Sequence, residues 1–231
     1  MHMNILSYRN WKALLLPFFL PALTLAQSKG IDSTFDNQHY RARLEFFKAM
    51  PNQKDEIVFV GNSITEGGKW QEILQRKHVI NRGISGDVTY GILARLDEIL
   101  ASRPRKIFLL CGVNDMKRGI PLSIISTNIE RIIKQVKKQS PNTALFVQGL
   151  LPVNESLLPK IYEEVRNDKI VLLNNALKEL CTAQQVRFVD LQPILVDGKG
   201  ELKAELTIDG LHLKQATYLI WANYLKQQKL L

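Results

Sequence analysis

The sequence predicts one α/β domain built on a parallel sheet, and three observations carry that expectation. Five short β-branched, aromatic or apolar runs recur along the chain. Segments with apolar residues at helical spacing separate them. No internal repeat or low-complexity linker suggests a second module, and 231 residues suffice for one well-packed domain rather than two ordinary ones.

The elements follow in order. A helix is expected over Gln38–Met50, where Tyr40, Leu44 and Phe47 share a side and Pro51 with Asn52 stops it. Ile57–Val60 is the first strand, closed by Gly61, with a helix after Ser63. Val79–Ile80 is a weaker strand signal before Asn81-Arg82-Gly83. One helix is expected over Thr89–Leu100, from Ile92, Leu93, Leu96, Ile99 and Leu100. Lys106–Cys111 is apolar without alternation, as in a strand covered on both faces. Pro121 suits the first turn of a helix running to Lys138, striped by Leu122, Ile125, Ile129, Ile132, Ile133 and Val136. Ala144–Gln148 is the fourth strand, Lys169–Thr182 a helix, Val186–Val189 the fifth strand and Leu213–Gln228 a closing helix. The stretch from Gly149 to Arg166 is rich in Leu, Pro and Ile. It either lines an acyl or leaving-group pocket or packs the connection.

Residues 1–26 stand apart. Arg9 and Lys12 precede an apolar run ending Thr24-Leu25-Ala26, with no acidic residue, the pattern of a cleaved secretory signal. Cleavage there leaves a single domain over residues 27–231, a periplasmic or secreted location and no stable membrane anchor. The apolar run is short for a spanning helix and contains Pro17 and Pro21. Losing Arg9 and Lys12 lowers the formal charge from +9 to +7. The remaining cations are dispersed without interleaved aromatics, which argues against nucleic-acid binding. Cys111 and Cys181 read as small buried thiols, and no Cys/His spacing suggests a metal.

The chemistry concentrates in Gly61-Asn62-Ser63-Ile64-Thr65-Glu66-Gly67, Gly112-Val113-Asn114-Asp115 and Asp209-Gly210-Leu211-His212. Ser63 falls just past a strand, where its hydroxyl and nearby backbone N–H groups face the carboxyl edge of the sheet. Alone, Gly-Asn-Ser is more often a turn than a nucleophile. The other histidines after residue 26 read otherwise, His39 as a surface or capping residue and His78 as solvated or interfacial. His212 follows Asp209 by three residues, with Gly210 allowing a turn that lets a carboxylate fix an imidazole tautomer. That spacing is also common by chance.

Together with Asn81-Arg82-Gly83-Ile84-Ser85-Gly86-Asp87, these four blocks stand in the order found in the SGNH, or GDSL-like, esterase and lipase superfamily, which the chain resembles. The early helix and the spacing look most like the branch of the platelet-activating-factor acetylhydrolase catalytic subunits, which also includes carbohydrate esterases. The resemblance implies a flavodoxin-like three-layer α/β/α sandwich with a five-stranded parallel sheet. It implies Ser63 as nucleophile, His212 as general base and Asp209 as its orienting carboxylate. The oxyanion donors would be the Ser63 N–H, the Gly86 N–H and the Asn114 amide, with Asn62 and Asp115 in support. Asn62 stands where the family usually has Asp, and Asp115 is favoured as a structural hydrogen-bonding residue. No cofactor or metal is implied.

The resulting expectation is a serine carboxylic-ester hydrolase acting through an acyl-serine, with O-acetyl groups on extracytoplasmic carbohydrate as substrate. The export signal and the lack of an evident amphipathic lid favour that substrate over lipid. A lipase or lysophospholipase, and a non-catalytic carbohydrate-binding domain retaining the fold, are the alternatives.

Overall fold

The computed structural model describes residues 30–231, and residues 31–231 form one compact unit. The signal-like segment and the expected cleavage at Ala26 lie outside the described residues. Along the chain run α1 (Gln38–Ala49), β1 (Ile57–Gly61), α2 (Ser63–Glu66), α3 (Trp70–Leu74), β2 (Val79–Gly83), α4 (Thr89–Ala94) and α5 (Leu96–Leu100). There follow β3 (Lys106–Leu110), α6 (Val113–Lys117), α7 (Leu122–Gln139), β4 (Ala144–Gln148), α8 (Asn167–Ala183), β5 (Arg187–Val189), α9 (Gln192–Leu195) and α10 (Gln215–Gln227). Two 3₁₀ turns cover Lys160–Tyr162 and Ala204–Leu206.

Among the described residues the five strands form one parallel sheet in the order β2-β1-β3-β4-β5. This is the doubly wound, flavodoxin-like order, flanked by helices as an α/β/α sandwich. Its strand order reverses between β1 and β3, so a crevice is expected beyond their carboxyl ends. Phe59, Phe108 and Phe146 lie in register on β1, β3 and β4 and stack at centroid separations of 4.9 and 4.7 Å. Trp70 of α3 continues the stack at 4.0 Å and meets Trp221 of α10 edge-on. Strand alternation turns Val58, Val60, Ile107 and Leu109 to the other face, which α4, α7 and α8 cover. There Ile125, Ile129, Ile132, Ile133 and Val136 are buried along α7, the apolar stripe expected from the sequence.

The helix expected over Thr89–Leu100 is two. The chain leaves helical geometry at Arg95, whose side chain turns wholly into the interior. Apolar spacing runs unbroken through the break, so periodicity could not reveal it. The one-turn helices α3, α6 and α9 were also silent, being too short to show a period. Cys111 and Cys181 are buried free thiols. Among the described residues, no helix is long and apolar enough to cross a membrane, and no cluster of His, Cys, Asp or Glu is placed to hold a metal ion.

Candidate active site

β1 delivers Ser63 to the reversal point of the sheet. Gly61 ends the strand so close to its surroundings that a Cβ would lie 2.2 Å from Thr65 Oγ1 and 2.3 Å from the Leu110 carbonyl oxygen. Asn62 then caps α2, its side-chain oxygen accepting the Ile64 N–H at 3.1 Å. An amide performs this capping without the charge of the usual Asp. A four-residue helix has little stability of its own, and here other elements hold it. Tyr218 of α10 donates its hydroxyl to the Ile64 carbonyl at 2.7 Å, and the Trp70 indole N–H reaches the Thr65 carbonyl at 2.9 Å. The Asn81 amide donates to the carbonyls of Thr65, Glu66 and Gly68 at 3.0, 3.0 and 2.9 Å.

The turn before α10 brings Asp209 and His212 to Ser63. Ser63 Oγ lies 3.0 Å from His212 Nε2, and His212 Nδ1 lies 2.7 Å from Asp209 Oδ2. The carboxylate fixes the proton on Nδ1 and leaves Nε2 to accept from the serine. Asp209 Oδ1 also accepts the N–H groups of Leu211 and His212 at 3.0 and 2.7 Å. Partial burial works against the Asp209 charge, but the bonds from the His212 ring and these N–H groups hold its carboxyl below the usual range. Gly210 makes the turn possible: its φ is +88°, and a Cβ there would lie 2.6 Å from the Asn154 carbonyl oxygen.

Gly86 and Asn114 occupy the loops after β2 and β3, beside the end of β1. Gly86 has φ +80° with open space where a side chain would stand. Among the described residues, neither its N–H nor that of Ser63 has an intramolecular acceptor. Asn114, in the first turn of α6, donates its amide to the Asp87 carbonyl at 2.9 Å.

Two buried acids brace this edge. Asp87 pairs with Arg95 Nε at 2.9 Å, and Arg95 Nη2 reaches the Gly61 carbonyl at 3.2 Å. One guanidinium thus ties the end of β1 to the loop carrying Gly86. Burial pushes the Asp87 carboxyl up to about 6 against the pull of Arg95. Asp115 accepts the Thr89 N–H at 3.1 Å and the Thr89 hydroxyl at 2.5 Å, so its carboxylate braces the start of α4 rather than Ser63. Burial raises its pKa, with the Thr89 bonds pulling the other way.

Sequence reasoning missed several contributors. Glu66, at the end of α2, accepts from Ser85 and pairs with His39 and Arg43 of α1, each at 3.3 Å. His39 is exposed on the surface as expected, while His78 is half-buried at a left-handed turn. Tyr162 sets its ring 6.3 Å from that of His212, nearly perpendicular, and the Lys117 ammonium lies 4.5 Å from the Tyr162 centroid. In the 149–166 stretch Leu150, Leu151 and Val153 are buried and pack the connection, and Tyr162 flanks His212.

Residues 59–220 match the GDSL-like Lipase/Acylhydrolase family. The alpha1 subunit of platelet-activating factor acetylhydrolase IB from Bos taurus is 26% identical over 193 residues, 81% of this chain and 78% of the relative. A solved structure described as a candidate platelet activating factor from Streptococcus pneumonia is 34% identical, with a TM-score of 0.76 over 82% of this chain and 92% of that one. An acetyl xylan esterase shares the fold at 20% identity, with a TM-score of 0.60 over 76% of this chain and 99% of that one. The chain belongs to the GDSL-like lipase/acylhydrolase family.

Proposed function

We propose that the protein is a serine esterase that removes O-acetyl groups from extracytoplasmic carbohydrate, with Ser63, His212 and Asp209 as its triad. The observation that carries the hydrolytic part is the continuous chain from Ser63 Oγ through the imidazole to Asp209, with links of 3.0 and 2.7 Å. A carbohydrate-binding domain that merely retained the fold has no need of that alignment.

The cycle follows from the geometry. His212 Nε2 takes the serine proton as Oγ attacks the ester carbonyl, and Asp209 stabilises the imidazolium. The N–H groups of Ser63 and Gly86 and the Asn114 amide receive the developing oxyanion. Collapse of the tetrahedral species breaks the bond to the alcohol, which leaves with the proton from His212. Water, deprotonated by the same imidazole, then releases the acid from the acyl-serine.

Acetyl as the acyl group is supported by the acetylhydrolase relatives. Carbohydrate as the alcohol is supported by the export-like leader of residues 1–26, which also argues for a periplasmic or secreted domain beginning at residue 27. The test is a panel of acetylated sugars, short-acyl aryl esters and phospholipids, run on residues 27–231 and on Ser63→Ala. Preference for acetylated sugars, abolished in the variant, is expected. Preference for phospholipid would replace the substrate with lipid, and activity surviving in Ser63→Ala would remove the mechanism.

A further inference from the structure

Three exposed aliphatic side chains stand around one side of the triad. Ile208, 70% exposed, directly precedes Asp209, and its N–H bonds the His212 carbonyl at 2.8 Å. Leu157, 47% exposed, belongs to the turn against which Gly210 rests; a Cβ on Gly210 would lie 3.1 Å from the Leu157 carbonyl carbon. Ile161, 64% exposed, is the neighbour of Tyr162, whose ring packs against His212. Single apolar residues on a surface are ordinary, but several on the segments that flank a reactive centre are a candidate binding feature. Val171, Leu172, Leu219 and Ile220, also exposed, are carried instead on the long helices α8 and α10.

Position decides which half of an ester this rim meets. The candidate oxyanion donors belong to the loops after β1, β2 and β3, whereas His212 comes from the turn before α10. The imidazole must hand its proton to the departing alkoxide, so the alcohol half lies alongside His212. Residues around His212 therefore flank the alcohol rather than the carbonyl oxygen. The rim is also amphipathic: the Tyr162 ring packs edge-on to His212, and the Lys117 ammonium lies over that ring.

We infer that Ile208, Leu157, Ile161 and the Tyr162 ring form an alcohol-side subsite that receives the apolar face of a sugar ring. A pyranose presents C–H groups on its faces and hydroxyls around its edge. The faces pack on aliphatic and aromatic side chains, while the edge meets the phenol hydroxyl and the ammonium. A hydrocarbon chain would use the aliphatic groups but make no hydrogen bonds with the phenol hydroxyl and the ammonium. The subsite rests on the esterase reading for its orientation and assigns residues to the carbohydrate alcohol which that reading names.

The test uses two esters with the same acetyl group, ethyl acetate and an O-acetylated methyl xylopyranoside, on residues 27–231. The Ile161→Ser/Ile208→Ser double variant changes only solvent-facing side chains. It should raise KM for the glycoside about tenfold, with kcat little changed and kcat/KM for ethyl acetate held within about twofold. An equal loss on both esters, or no loss on either, overturns the subsite. A substitution that dissociates an oligomer, with both esters falling together, assigns the rim to a second copy and overturns it too. A loss confined to phospholipid vesicles assigns it to a lipid surface, with the same result. Wild type inert towards both esters would refute the hydrolytic reading alone. In that event, saturation-transfer NMR of the glycoside on Ser63→Ala, with and without the rim substitutions, decides the subsite. Saturation transfer to the sugar that disappears with the substitutions supports it, and transfer that persists unchanged overturns it.

Discussion

Glu66 Oε2 accepts both the backbone N–H and the hydroxyl of Ser85, at 2.5 and 2.6 Å. The last residue of the turn that Ser63 begins thereby grips the residue before Gly86, joining the candidate nucleophile and one candidate oxyanion donor through a single carboxylate. His39 and Arg43 of α1 complete its shell, each at 3.3 Å. Burial opposes the Glu66 charge, yet the Ser85 bonds, with help from His39 and Arg43, hold its pKa below the ordinary value. Glu66→Ala should leave Ser63 and His212 in place but loosen the Ser85–Gly86 loop. Steady-state kinetics on a short acetyl ester should show kcat lowered roughly 10- to 100-fold, part of the loss for a whole oxyanion donor, with KM nearly unchanged. A KM effect alone would mean that the loop binds substrate rather than the oxyanion.

The Asp87–Arg95 pair carries a stability prediction. Both side chains are fully buried, so removing one charge strands the other in a poorly solvated interior. Asp87→Asn should cost about 3–5 kcal/mol, read as a lowered urea midpoint. A replacement of both residues by apolar ones should be milder than either single change. Equal single and double costs would place the damage in backbone geometry instead.

β1, β3 and β4 were legible because each is a short apolar run between turn residues, and burial on both faces needs no finer code. β2 was legible only at Val79–Ile80 and runs on through Asn81-Arg82-Gly83. Ser63, Asp209 and His212 were legible only through the resemblance carried by four blocks in family order, since Gly-Asn-Ser and the Asp209–His212 spacing are each ordinary turns alone. What held those turns was not. Asn81 holds α2 and the turn after it through the carbonyls of Thr65, Glu66 and Gly68, which no spacing rule connects to it. Arg95 is an ordinary cation on a helical stripe until its backbone break turns it inward. Tyr218 and Trp70 are core aromatics, and only packing shows that their polar tips end on α2. Long-range side-chain-to-backbone bonds of this kind have no period for a sequence to display.

Asp209→Asn should retain the turn while losing the charge that fixes the imidazole tautomer. A drop in kcat of roughly 10⁴ is expected, as for triads generally, with the fold intact by circular dichroism. The variant should also respond differently to acid. The folded Asp209 pKa lies below its reference value of 3.8, so its contribution to stability is fully present above that value and fades as pH falls through the folded pKa. Thermal midpoints measured between pH 5 and pH 2 should therefore converge for wild type and variant at the acid end. Parallel curves would show that Asp209 contributes nothing through its charge.

The proposed processing after Ala26 would give a mature chain starting at Gln27. Mass spectrometry of exported protein should find that terminus, and deletion of residues 1–26 should leave catalysis unchanged. An intact leader on exported protein would contradict cleavage.

Asn114 separates oxyanion stabilisation from activation of the serine. Its amide donates to the Asp87 carbonyl at 2.9 Å, a bond that holds the side chain against the loop carrying Gly86. It has no bond to His212 or Asp209, so Asn114→Ala should leave the Ser63–His212–Asp209 alignment intact. Loss of one donor to the developing charge lowers kcat by about 10²–10³, or roughly 3–4 kcal/mol of transition-state stabilisation. Ser63 should nevertheless still react at a measurable rate with a small organophosphorus probe, because His212 continues to activate its hydroxyl. Rapid-quench kinetics on a short acetyl ester would locate the loss in acylation. An unchanged turnover number and specificity constant in the folded variant would reassign Asn114 to holding the loop through Asp87. Simultaneous loss of probe labelling would instead place its effect on the nucleophile, because a donor to the oxyanion alone leaves the serine competent to attack.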